Sequence, residues 1–146
     1  MTQENVELVA RTIPSADVNF AELARNDAMY AAYLGQVRSL FHDDFVFVNH
    51  GFPAGQMTCV GLAAVRSLFR DWYKPWKTYR TEVERAVDCG DRVLHLTRDF
   101  GMLWEGAQEI TLTLGCVYTV REGKIARWDV YLDRADALRA VGLDVA

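Results

Sequence analysis

At 146 residues, 51% of them hydrophobic, the chain is long enough for one domain, residues 1–146, to bury a core without disulfide or metal staples. Sixteen basic against twenty acidic residues give a net charge of −4, and no Lys/Arg cluster forms a footprint for nucleic acid. No apolar run reaches the roughly 20 residues of a membrane span, and the polar start Met-Thr-Gln-Glu-Asn is unlike a signal peptide, so a soluble cytoplasmic protein without nucleic-acid or membrane partners is expected. Cys59, Cys89 and Cys116 have no paired spacing and read as reduced, buried small hydrophobes.

In chain order, a short helix is expected over 4–12, ended by Pro14. A second opens near Asp17 or Asn19 and carries Phe20, Leu23, Tyr30, Leu34, Val37 and Phe41 at helical spacing. Residues 45–49 read as a short strand, and the glycine- and proline-bearing stretch 50–61 as a loop. Leu62, Val65, Phe69, Trp72, Tyr73 and Trp76 recur at helical period until Pro75. Strands follow near 79–87 and 92–103, with a turn at Cys89-Gly90-Asp91. A hairpin closes the sheet: an apolar run from Ile110, the turn Arg121-Glu122-Gly123, and a second strand from Lys124 to Leu132. Asp133 caps a last short helix. Helices in the first half and strands in the second predict an α+β domain with helices on one face of a sheet.

The phrases "NVELV", "FRDW", "GDRV" and above all "REGKIARWDVYLDRADAL" resemble the SnoaL-like group of the NTF2-like superfamily, whose relatives include polyketide cyclases, ketosteroid isomerases and limonene-epoxide hydrolases. The likeness covers most of the chain from Val60 onward. It implies a cone in which a curved mixed β-sheet wraps N-terminal helices around a deep apolar pocket, and pairing into a homodimer through the outer sheet face. It implies no cofactor. In the cyclase and epoxide-hydrolase branches an acid/base aspartate sits five residues after the Ile of the "GKI" turn, which is Val130 here. Asp129 lies one residue earlier, on the opposite face of a strand. The hydrolase branch also matches at Arg98 and Asn49, while its second aspartate would fall at Phe100 and its tyrosine at Phe47, which disfavours epoxide hydrolysis by that mechanism.

By the same strand parity Leu96, Arg98, Phe100 and Met102, then Leu112, Leu114 and Cys116, then Trp128, Val130 and Leu132 are expected to face inward. Arg98 in such a place needs a carboxylate, from Asp43, Asp44 or Asp99 or brought by a ligand, unless it is oriented toward the rim. With Asn49 it would then bind a carboxylate or polarise a carbonyl. His50 is a candidate general base or a solvated loop residue. His42 is read at a helix end and His95 on the outward parity, and no metal-ligand spacing joins the three. Tyr30, Tyr33, Trp72, Tyr73, Trp76 and Trp104 read as core or as an aromatic wall for a flat ligand. Arg127, Asp129 and Tyr131 suit an outer dimer surface, with Asp129 an acid/base only if a bulge turns it inward.

The reading that follows is a cofactor-independent cyclase, isomerase or dehydratase acting on a hydrophobic polyketide- or terpenoid-like substrate that carries a carbonyl or carboxylate. Its catalytic candidates are Asp129, His50 and Arg98. Its binding candidates are Asn49, Phe47, Tyr30, Trp72, Phe100 and Met102, followed by Leu112, Leu114, Trp128 and Val130, with no metal. The alternatives are a hydrophobic-ligand-binding protein without turnover and a homodimeric structural domain.

Overall fold

The computed structural model describes residues 2–51, 57–106 and 108–144. Its elements are α1 (Thr2–Ala10), α2 (Phe20–Arg25), α3 (Asp27–Val37), a 3₁₀ turn (Arg38–Leu40), β1 (Phe41–Asn49), β2 (Met57–Val60) and α4 (Leu62–Trp72), then β3 (Trp76–Cys89), β4 (Arg92–Leu103), β5 (Ile110–Arg121), β6 (Lys124–Tyr131) and α5 (Arg134–Ala140). The strands form one mixed sheet in the order β2-β1-β6-β5-β4-β3, in which only β1 and β6 run parallel. This is the α+β, NTF2-like architecture.

The expected second helix is two helices, because Asn26 takes an extended backbone and its side chain accepts from Met29 N, which starts α3. An Asn side chain competes with helical hydrogen bonding locally, while the apolar period runs on unchanged across the break. Asn19 caps α2 and also accepts from Tyr79 N at 3.0 Å, tying that helix to the sheet. Phe41 and His42 begin β1 instead of ending a helix, and His42 Nε2 lies 2.6 Å from the Arg121 carbonyl. The stretch read as a loop contains β2, which extends the sheet edge by pairing with β1; Pro53 and Gly55 lie outside the described residues.

The closing hairpin has a two-residue loop, Glu122-Gly123, between paired Arg121 and Lys124. Both loop residues have positive φ, 53° and 76°, the type I′ geometry that matches strand twist. Asp133 caps α5 through Ala135 N at 2.8 Å. That helix lies on the outer face of the sheet, where Ala137 packs with Leu94, Leu96 and Val117. The approach is close at Gly115, where an added Cβ would stand 2.4 Å from the Ala137 Cβ. Gly115→Ala is therefore expected to cost about 1–3 kcal/mol, read as a lower urea midpoint. The main core, built on Phe41, Phe45, Phe47, Val93 and Ile125, fills one end of the cone. A second cluster, with Ala21, Ala24, Tyr73 and Tyr79, joins α2 to β3 elsewhere.

Candidate active site

Strand pairing decides which side chains share the interior, because directly opposed residues on neighbouring strands point to the same face. His95 opposes Cys116, Thr97 opposes Leu114 and Asp99 opposes Leu112. Cys116 in turn opposes Val130, and Val130 pairs with Asn49. A transverse row thus runs Asn49, Val130, Cys116, His95 across four strands. These residues, except Leu112, line a cavity of about 140 Å³ between the sheet and helices α2, α3 and α4. Its wall is rich in rings, among them Tyr30, Tyr33, Phe69, Trp72, Tyr118 and Trp128. Tyr118 stacks on Trp128 at 5.4 Å and meets His95 edge-on at 5.2 Å.

The polar groups of this wall are buried in apolar surroundings. Asp99 is 4% exposed, and its Oδ2 accepts a 2.6 Å hydrogen bond from the Tyr79 hydroxyl. Burial raises the Asp99 carboxyl above the usual carboxylate range; the Tyr79 hydroxyl opposes the rise most, followed by Thr81, Thr97 and the charge of Arg134. Tyr79 is itself raised, by desolvation first and by Asp99 second. His95, 2% exposed, is pushed down to about 4 by desolvation, so its imidazole is neutral at pH 7. Burial pushes the Cys116 thiol up to about 12, which removes it as a nucleophile. Four buried atoms lining the cavity make no hydrogen bond of full geometry among the described residues: His95 Nδ1, Thr97 Oγ1, Asp99 Oδ1 and Trp128 Nε1, although the Thr97 hydroxyl lies close enough to the Asp99 carboxyl to lower its pKa, as the Trp128 indole does for the Cys116 thiol. Buried polar atoms normally are paired, so a wall that leaves these positions incompletely satisfied suits a ligand or water.

The structure brings Asn49, Phe47, Tyr30, Trp72, Leu114, Trp128 and Val130 together on this wall. It does not bring Arg98, Phe100 and Met102 there. The parity expected for β4 is inverted: Val93, His95, Thr97 and Asp99 face the cone, while Leu94 and Leu96 face α5. Leu94 and Leu96 point away from the cavity because α5 covers the outer face there, so hydrophobicity did not mark the interior. Arg98 is on the outside, 3.0 Å from Glu84 and not from Asp43, Asp44 or Asp99. Phe100 lies under the Arg80 guanidinium at 4.1 Å. Leu112 packs against the Tyr73–Tyr79 cluster and lies outside the cavity lining. Of the aromatic set, Tyr33 and Tyr73 reach the cavity, Trp76 packs against Gly101 and Tyr79, and Trp104 is 56% exposed.

Asp129 and His50 are on the opposite face of the sheet. Asp129 accepts from Arg127 at 2.9 and 3.0 Å and lies 2.8 Å from His50 Nε2, and His50 stacks on Tyr131 at 4.2 Å. Asp129 is 5% exposed, so these bonds hold the outer surface of β6. No bulge turns its carboxyl inward, since Val130 keeps the cavity position. Asp129→Asn is expected to cost about 1–3 kcal/mol of stability in a urea titration through its charged hydrogen bonds. Among the described residues, no three His, Cys, Asp or Glu side chains converge as metal ligands.

Sequence reasoning missed Asp99, Tyr79, His95 and Thr97. The signal available was the apolar set of α5 and its C-cap (Ala137, Leu138, then Val141), which requires an apolar sheet face to cover and thereby claims Leu94 and Leu96.

Comparison with known proteins fits this geometry. No protein of curated function matches the chain. A protein from Jannaschia sp. CCS1, provisionally assigned as a SnoaL-like polyketide cyclase, superposes with a TM-score of 0.67 at 15% identity, covering 98% of this chain and 94% of that one. TerC, co-crystallised with polyporic acid, gives 0.66 at 19% identity over 94% of this chain and 98% of its own. An LEH-like epoxide hydrolase from M. tuberculosis gives 0.58 at 21% identity over 96% and 90%. At these identities the likeness carries the fold alone. The profile of the SnoaL-like domain matches residues 23–128, and the chain belongs to that family.

Proposed function

We propose that the protein is a cofactor-independent acid–base enzyme of the isomerase, cyclase or dehydratase kind, acting on a hydrophobic carbonyl compound, with Asp99 as its proton-transferring group. The observation that supports this is the Asp99–Tyr79 pair: a buried carboxyl facing a ring-lined cavity, with one oxygen held by a phenol and the other making no hydrogen bond of full geometry. Perturbed carboxyls of this kind suit general-base work near neutral pH. The ionised carboxylate takes a proton from the carbon next to the carbonyl, and the C–H electron pair moves into the enolate. Thr97 Oγ1, two residues away on the same face, is placed to donate to the enolate oxygen. The Asp99 proton then returns to another carbon in an isomerisation. In an aldol-type cyclisation the enolate carbon attacks a second carbonyl, whose oxygen takes that proton.

Val130 leaves the interior one carboxylate short of the paired-aspartate arrangement that the resemblance implies for epoxide hydrolysis. The test needs no known substrate: α-hydrogen exchange of a hydrophobic ketone such as 4-methylcyclohexanone is followed by NMR in D₂O with and without the protein. Exchange that depends on Asp99 supports the enzyme. Binding of the ketone without exchange would leave a ligand-binding protein. Asp129→Asn is expected to leave exchange unchanged, because that carboxyl faces away from the cavity. We also propose a homodimer through the outer sheet face, where Val60 on the edge strand is 57% exposed; sedimentation velocity checks it.

A further inference from the structure

We infer that the cavity selects an uncharged, single-ring molecule bearing one hydrogen-bonding oxygen, an inference that rests on the acid–base reading of the same cavity. Two observations carry it. The first is charge. No Lys or Arg lines the cavity among the described residues: Arg98 pairs with Glu84 outside the cone, and Arg66, which lies over the outer side of the Tyr30 wall at 4.6 Å, pairs with Asp27. A carboxylate or phosphate inside would be buried without a cation and beside the Asp99 carboxyl, an arrangement that is unfavourable twice over. The incompletely satisfied groups are instead an imidazole nitrogen, a hydroxyl beside the Asp99 carboxyl, one oxygen of that carboxyl and an indole N–H beside a thiol. These suit a phenol, an enol or a ketone. The carboxylate-bearing ligand anticipated from Arg98 is therefore not the one this wall fits.

The second observation is size. A cavity of about 140 Å³ is comparable to the engineered apolar cavity of about 150 Å³ that binds benzene. His95 and Asp99 are four residues apart on one strand, roughly 13 Å, which taken alone would suit a long fused-ring skeleton. The volume decides against that. A single ring fills the available space, and its oxygen reaches the Thr97–Asp99 end, where neighbouring inward side chains are roughly 7 Å apart. The ring faces then meet Tyr118, Trp128 and Phe69.

The probes are 4-methylphenol, 4-methylbenzoate and the three-ring 2-anthrol, each titrated into the whole protein at pH 7 and followed by tryptophan fluorescence, since Trp72 and Trp128 line the cavity. The expected result is that 4-methylphenol binds at least tenfold more tightly than either of the others. A benzoate or an anthrol within tenfold of 4-methylphenol, or tighter, overturns the inference. Location is read twice. Val130→Phe, which takes up cavity volume, is expected to weaken 4-methylphenol at least tenfold, and NOEs from the ligand methyl to the Leu114 and Val130 methyls are expected in the unsubstituted protein. Missing NOEs overturn the assignment even if the variant does not fold. The outcomes separate from those of the catalytic reading. If Asp99→Asn keeps exchange intact while the ranking holds, the acid–base role falls and the ligand class stands; the reverse pattern removes only the ligand class.

Discussion

Asp99→Asn is expected to slow protein-dependent α-hydrogen exchange of a hydrophobic ketone by about a hundred- to ten-thousandfold, the range that a positioned general base contributes. Asparagine keeps the shape and can still accept from the Tyr79 hydroxyl, so the loss would belong to the missing ionisation. Folding gives an independent check on this. A carboxyl whose folded pKa is raised contributes stability that is fully present below its ordinary value of 3.8 and is lost as pH rises through the folded value. At pH 7 the wild-type carboxyl is thus held at a disadvantage, and Asp99→Asn is expected to be at least as stable, which rules out misfolding as the source of lost exchange. Tyr79→Phe removes the hydrogen bond that most opposes the rise, so the pH profile of exchange is expected to move to higher pH. An unchanged rate in Asp99→Asn would end the proposed role, and a profile moving to lower pH would contradict the role given to Tyr79.

His95 supplies the second large effect. Its pKa falls from 6.5 to about 4 on folding because burial, which leaves it 2% exposed, desolvates the imidazolium. A depressed pKa contributes stability that is present above 6.5 and lost as pH falls toward 4. A difference of 6.5 less about 4, at about 1.4 kcal/mol per pH unit, makes the loss about 3 kcal/mol, a large share of the stability of an ordinary domain. Asp99 acts with the opposite sign in the same acid range, so the measurement is cleanest in the Asp99→Asn background. Urea midpoints taken there at pH 7 and pH 4.5 are expected to fall steeply with His95 and much less with His95→Gln. Equal slopes in the two proteins would show that the imidazole is hydrated or paired in solution.

Several features were legible in the residues themselves. Five strands, the α5 cap at Asp133 and the closing turn followed from local chemistry: alternation, an Asp side chain that satisfies an exposed N–H, and a Glu-Gly pair accepting positive φ. Val130 on the inner face and Asp129 on the outer face follow from pleat parity within one strand, and no neighbour alters that. The break at Asn26 was harder to see, because capping by one amide leaves the apolar period of the flanking helices intact. Strand β2 was hidden in a glycine-rich stretch because a four-residue edge strand gains its stability from pairing with β1, not from its own pattern.

Whether β4 shows its leucines or its His95, Thr97 and Asp99 to the cone is a matter of register between strands and of which face a helix covers. From Val93 to Thr97 both faces of that strand are buried, so a hydrophobic side chain is at home on either, and its period names no interior. The sequence alone determined the family, the α+β class and the replacement of the acid at position 130. Tertiary structure alone decided that Asp99 is the inward carboxyl, because pairing Asp99 with Leu112 and packing α5 on Leu94 and Leu96 are contacts between residues far apart in the chain.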